Sequence, residues 1–289
     1  MKKPSKNFWQ RAVFGTLFLA MTVLVIALSH SRVGRWLFFT GVLGLNGIAL
    51  YEYCRLCRRG TYAVACPVML GASSLYLFVR FKALLSPALD HLPALVLLLG
   101  ALCCAFFFFR RPSNALSDLA LTIFSFPLVT FPLSLLLDLN FVPKLVSGTQ
   151  SSFWLIWLLS VTKGSDIVAY FTGKCFGQRP LAPHISPKKT VEGALSGLVA
   201  GAVISIILSF VYRKMIPIPM NLDAWGMLGL VIAGVAIFGD LTESLLKRSV
   251  DLKDSSDLPG LGGILDMMDS LVFAVPALYF FLSVSEALL

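Results

Sequence analysis

The chain has 289 residues, of which 57% are hydrophobic and only 13% charged. Soluble globular domains hold roughly 45–50% apolar residues, so this composition excludes a soluble globule and points to an integral membrane protein. The formal net charge of +9 is scattered over short polar segments rather than gathered in one basic domain, which argues against nucleic acid as a partner.

Apolar windows of about 20 residues, the length a helix needs to cross the hydrocarbon, recur along the whole chain. They predict spans over 13–30, 34–54, 61–79, 92–109, 115–137, 152–171, 193–212, 223–242 and 268–286. The expected fold is therefore all-α and polytopic, with about nine transmembrane helices. Lys2, Lys3 and Lys6 before the first span imitate a secretory signal. No small-residue cleavage site precedes His30 to Arg35, so a retained first helix is expected.

The second span ends in Cys54-x-x-Cys57. Zinc sites need four ligands, and neither a second such pair nor a suitably spaced pair of histidines is there to complete them. Phe106 to Phe109 ends at Arg110 and Arg111, the pattern of an interfacial anchor. Residues 1–150 thus read as a scaffold of about five helices. Residues 151–289 read as a catalytic region of about four helices with two polar site loops.

The sixth span opens into KGSDIVAYFTGKCFGQRPLAPHISPKKTVEGALSG, from Lys163 to Gly197. Lys163, Asp166 and Tyr170 fall at helical spacing. Breaks at Gly173, Gly177 and Pro180 are expected to give a flexible loop carrying Lys174, Arg179, Lys188 and Lys189. Lysine ammonium groups, the Ser186 and Thr190 hydroxyls and freed backbone N–H groups can together wrap a polyphosphate. An ordinary cytoplasmic loop has the same composition, and both readings stay open here. In the seventh span Gly193, Gly197 and Gly201 recur every four residues, a stripe that allows close helix packing within one protomer or across a homodimer.

Ten of the thirty residues from Asp240 to Asp269 are charged, and they include seven of the fifteen acidic residues in the chain. Charge beside or within a bilayer is costly unless paired or bound to an ion, so this island is the main candidate site. Asp240, Glu243 and Lys247 share one face of a helix leaving the eighth span; Asp266 and Asp269 do the same where the last span begins. The turn from Pro259 to Gly263 folds the chain so that the two carboxylate pairs converge. Hard divalent cations favour such carboxylate oxygens and leave room for phosphate and water.

At these residues the chain resembles the CTP:phosphatidate cytidylyltransferases, also called CDP-diacylglycerol synthases. The second block is carried by Gly239-Asp240-Leu241, Ser244, Lys247, Arg248, Lys253, Asp254, Ser256, Pro259, Gly262, Gly263, Asp266 and Asp269. The first block matches through Asp166, Ala169-Tyr170, Gly173-Lys174, Ser186-Pro187, Lys189-Thr190 and Glu192-Gly193. The sequence departs from the family pattern at Leu261, where a His is usual, and at Met267, where an Arg is usual. Ile167 and Val191 replace a Thr or Ser and a Trp, and the spacer before Pro259 is one residue short. An active enzyme with altered rate or pH response is the expectation.

The resemblance implies cytidylyl transfer from CTP to phosphatidate in phospholipid synthesis, with Mg2+ and a second cation. It implies metal ligation by Asp240, Asp266 and Asp269, and phosphate binding by Lys247 and Arg248, with Lys188 and Lys189 closing from the first loop. Asp166 would touch nucleotide or cation. Lys163, Lys174, Ser186, Thr190, Glu192, Ser244, Lys253 and Asp254 complete the implied substrate site. The alternatives are a silent relative, a CTP-dependent polyprenol kinase and an ion-coupled lipid transporter.

Basic residues concentrate at Lys2 to Arg11, Arg55 to Arg59, Arg110 and Arg111, Lys163 to Lys189 and Lys247 to Lys253, in alternate polar segments. The positive-inside rule then sets a cytoplasmic N-terminus. The short tail before the first span points to a bacterial plasma (inner) membrane.

Overall fold

A computed structural model of the chain describes residues 31–109, 114–141, 152–212, 220–250 and 263–288. They form eight helices: α1 Arg32–Arg59, α2 Cys66–Leu85, α3 Leu92–Phe108, α4 Ala115–Phe141, α5 Ser152–Phe176, α6 Val191–Val211, α7 Leu222–Arg248 and α8 Ile264–Leu288. A short hairpin, β1 Pro180–Ala182 and β2 Ser186–Thr190, joins α5 to α6. Each predicted span from 34–54 onward coincides with one helix, and the span at 13–30 lies outside the described residues. Six helices are long and apolar enough to cross a membrane: α1, α2, α4, α6, α7 and α8. The apolar α3 is shorter, at 17 residues, and α5 has the length but carries Lys163, Asp166 and Lys174. The protein is an all-α, polytopic integral membrane protein.

The chain divides into two compact units, Met1–Leu137 with Ser249–Met267, and Asp138–Arg248 with Met268–Leu289. In the first unit a buried polar relay fixes three helices. Thr130 Oγ1 donates to Asn46 Oδ1 at 3.0 Å, and Asn46 Nδ2 donates to Ser73 Oγ at 3.2 Å. Thr130 lies in a π-helical turn, Phe126–Thr130, where Pro127 and Pro132 each withhold a helix N–H and loosen the ladder. The link from α1 to α2 is stitched to α4: Ala63 N donates to Asp118 Oδ1 at 3.0 Å, and Ala65 N to Thr122 Oγ1 at 3.2 Å.

In the second unit the glycine stripe of α6 is consumed within the protomer. A Cβ at Gly193 would lie 2.7 Å from the Ala169 carbonyl oxygen, and one at Gly201 would lie 2.6 Å from Ala233 Cβ. The stripe therefore seats α6 against α5 at one end and against α7 at the other. It offers no argument for a dimer. Away from the charged ends, Trp154 of α5 stacks on Trp225 of α7 with ring centroids 5.7 Å apart, and Ser205 Oγ of α6 donates to the Trp225 carbonyl at 2.6 Å.

The expected flexible loop differs. α5 runs through Gly173 to Phe176, and residues 180–190 form the hairpin. Gly173 serves packing here: a Cβ on it would approach Thr190 Oγ1 to 2.8 Å. Its missing side chain lets the end of α5 lie against the start of α6, so the glycine does not break the helix.

Candidate functional site

The hairpin is anchored from below by the first turn of α6. Thr190 caps that helix, its Oγ1 accepting from Gly193 N at 3.2 Å. Glu192 reaches back, and its carboxylate accepts from Gln178 N at 3.1 Å and Arg179 N at 3.3 Å. A carboxylate in a first turn also complements the helix dipole. Strand alternation then sends neighbouring side chains to opposite faces. Lys189 turns inward and pairs with Asp240 of α7, whereas Lys188 is exposed. The two lysines predicted to close together are divided by the strand, and Ser186 sits at the head of β2, paired in register with Ala182.

Lys163 is the other organising cation. Its Nζ donates to Ser270 Oγ of α8 at 2.7 Å and lies 4.0 Å from Asp166 and 3.9 Å from Asp269. Asp166, Asp240 and Asp269 are near enough for their charges to act on one another, so Lys163 and Lys189 hold three carboxylates that would otherwise repel. Ser244 Oγ lies 3.5 Å from Asp240 Oδ1. One turn further along α7, Lys247 is 2.5 Å from the buried Glu243, and Arg248 Nε donates to the Ile185 carbonyl at 3.3 Å, tying α7 to the hairpin. Lys174 is exposed, its Nζ 5.8 Å from the Tyr170 ring centre. Lys253 and Asp254 lie outside the described residues, as do Leu261 and the turn expected from Pro259.

Helix α8 begins at Ile264, four residues before the predicted span, so Asp266 and Asp269 are both helical and one turn apart. Asp266 Oδ2 accepts from Gly263 N at 2.9 Å. Glu52 of α1 does the same for the next two residues, its carboxylate oxygens accepting from Ile264 N at 3.0 Å and Leu265 N at 2.9 Å. The first N–H groups of any helix lack intrahelical partners; here two carboxylates supply them. Sequence reasoning passed over Glu52 as scaffold and did not single out Ser270. The signal for Glu52 was available, since an acid inside an apolar span is a functional candidate by default.

Gly239 permits another close approach. A Cβ there would collide with the Asp269 backbone carbonyl, so α7 and α8 come close beside Asp240 and Asp269. Gly239→Val should separate the helices and lower activity about a hundredfold, the effect of roughly 1 Å of misplacement. Gly234→Ala is the control, because its Cβ would meet only Leu198 Cδ2, at 3.4 Å. Equal activity of the two variants would show that the close approach is not needed.

The donor set is made of hard carboxylate oxygens and suits a hard dication such as Mg2+ in chemistry. Among the described residues, no three His, Cys, Asp or Glu side chains converge tightly enough to enclose a metal by themselves. Such a set fits an ion whose coordination is completed by water and phosphate.

These helices and this charged cluster define a membrane protein whose polar chemistry is carried on its helices, by Lys163 and Asp166 of α5, Asp240 of α7 and Asp269 of α8. The sequence profile of the cytidylyltransferase family matches residues 9–285, and the chain belongs to that family. It is a nucleotidyltransferase. A phosphatidate cytidylyltransferase of Chlamydia pneumoniae is 31% identical over 301 residues, covering 97% of this chain and 94% of the relative. One from Synechocystis is 31% identical over 290 residues, covering 91% and 94%. One from Bacillus subtilis is 43% identical over 131 residues, covering 45% of this chain and 47% of the relative.

Proposed function

We propose that the protein transfers the cytidylyl group of CTP to phosphatidate, giving CDP-diacylglycerol and pyrophosphate. The observation that carries this reading is the family match from residue 9 to 285, with similar relatives named phosphatidate cytidylyltransferase. The charged cluster of the second unit suits the reaction. A phosphate oxygen of phosphatidate attacks the α-phosphorus of CTP, a new P–O bond forms, and the bond from that phosphorus to the bridging oxygen breaks as pyrophosphate leaves. The nucleophile is already an anion and needs no strong base. The protein's task is to hold two polyanions together and stabilise charge on the leaving group.

Lys163 and Lys189, held by carboxylates, would exchange those partners for phosphate oxygens. Lys247 and Arg248 extend the basic surface along α7, and Lys174 and Lys188 add charge at its exposed edge. Asp240 and Asp269, with Asp266, would hold Mg2+, which when bound neutralises phosphate charge; a second cation belongs to the same proposal. Asp166 would contact the nucleotide or that cation. Residues 151–289 would then carry most of the chemistry, and residues 1–150 most of the scaffold. A ninth span at 13–30 and a cytoplasmic N-terminus would place the charged helix ends beside cytoplasmic CTP at a bacterial plasma membrane. A homodimer would need a surface other than the glycine stripe.

Cytidine-labelled CTP, incubated with the purified protein and phosphatidate in detergent, should place label in an organic-extractable lipid. That transfer should require both phosphatidate and Mg2+. A polyprenol kinase would instead release CDP and leave no cytidine on lipid, and an ion-coupled transporter would consume no CTP; either result removes the proposed reaction.

A further inference from the structure

The first unit contains a cavity of about 500 Å³ between the end of α1 and the first turns of α2. Arg55, Arg58, Arg59 and Tyr51 line it from α1, and Pro67 and Leu70 from α2. None of these residues belongs to the charged cluster described above. Tyr51, Arg55 and Arg58 recur at four and three residues, so they stack along one face of the helix.

The position of this cavity relative to a bilayer follows from length. At 28 residues, α1 is about 42 Å long, and the hydrocarbon layer is only about 30 Å thick. Arg32 and Arg35 at one end and Arg58 and Arg59 at the other favour sharing that overhang, so the last turn of α1 stands among lipid headgroups. Arginines at the end of a span also complement the helix dipole and set topology. Those roles need charge alone, without a concavity. Here three guanidinium groups border a space of the size that small-molecule sites occupy, roughly 300–1,000 Å³, with an apolar wall opposite.

We propose that this cavity binds the phosphate headgroup of an acidic phospholipid. Planar guanidinium groups take phosphate oxygens in pairs, and basic pockets between spans are a recurrent form of lipid recognition. Pro67 and Leu70 supply the surface against which a glycerol backbone and the first methylenes can lie. Tyr51, 63% exposed, offers an amphipathic ring at the depth where such rings settle. Lipid held here is a bound component of the scaffold rather than a reactant, so the proposal stands independently of cytidylyl transfer.

The test uses the full chain in phosphatidylcholine nanodiscs with and without phosphatidylglycerol, and native mass spectrometry to count retained lipid. Wild-type protein should retain phosphatidylglycerol in preference to phosphatidylcholine, and excess inorganic phosphate should not displace it. Combining Arg55→Gln, Arg58→Gln and Arg59→Gln should weaken retention about a hundredfold, as expected for three interfacial charges. Leu70→Trp narrows the cavity at its apolar wall and leaves every charge in place; it should also weaken the preference, and it decides the matter if the triple variant does not fold. Undiminished retention in folded Leu70→Trp protein would overturn the proposal. Displacement by inorganic phosphate would overturn it in favour of a free-phosphate site.

Discussion

Asp266→Asn is expected to lower cytidylyl transfer by about two to three orders of magnitude, the usual cost of removing one electrostatic group from a reacting site, without loss of folded protein. The two effects separate because Asp266 holds a backbone hydrogen bond and is proposed to ligate Mg2+ as well. Its Oδ2 accepts from Gly263 N at 2.9 Å, and an asparagine carbonyl can accept the same bond, so the start of α8 keeps its cap. Only the negative charge disappears, and that charge is what the proposed ligation of Mg2+ would require. Asp266→Ala removes both and should also destabilise the protein by about 0.5–2 kcal/mol, the range for a lost cap. Label transfer and thermal unfolding in detergent, measured side by side, distinguish the two variants. Near wild-type transfer by Asp266→Asn would withdraw the metal role from this residue.

Glu52→Ala should produce the largest loss of stability. The Glu52 side chain is buried, 3% exposed, and accepts from two backbone N–H groups of α8. Leaving a buried donor without its partner costs about 1–3 kcal/mol, so losing both acceptors should cost about 2–6 kcal/mol. Glu52→Gln should fall between, because its amide oxygen satisfies one N–H while its NH2 faces the other. Thermal unfolding gives the first measure. Hydrogen exchange gives a sharper one, since the amides of Ile264 and Leu265 should exchange faster while that of Val272, two turns further on, changes little. Wild-type melting and exchange in Glu52→Ala would mean that the start of α8 finds other acceptors.

The spans were legible because length and apolar composition are local properties. The helix ends were less so, for a physical reason: α5 continues to Phe176, α7 to Arg248, and α8 starts at Ile264, through segments broken by Lys174, by Glu243, Lys247 and Arg248, and by Asp266, which an apolar window penalises. Hydrogen bonding extends those helices where hydropathy has already ended. Asp240, Lys189, Lys163 and Asp269 were recognisable as candidates from charge and family resemblance. Their pairing was not, because Lys189 meets Asp240 across a hairpin whose strand alternation turns Lys188 away. The glycine stripe of α6 announced close packing, but only the fold supplied Ala169 and Ala233 as its partners. Glu52 shows the limit most clearly: its bonding partners lie 212 and 213 residues away.

That separation has a meaning for the order in which the protein is made. Chains are synthesised at about 5–20 residues per second, so α1 waits roughly 10–40 s before the amides that Glu52 receives are even translated. During that interval its carboxylate lacks the two backbone donors that it meets in the finished fold. Release of the chain before residue 264 would leave α1 complete but without those two bonds, and the membrane's quality-control machinery would meet a scaffold helix whose contacts to α8 never form.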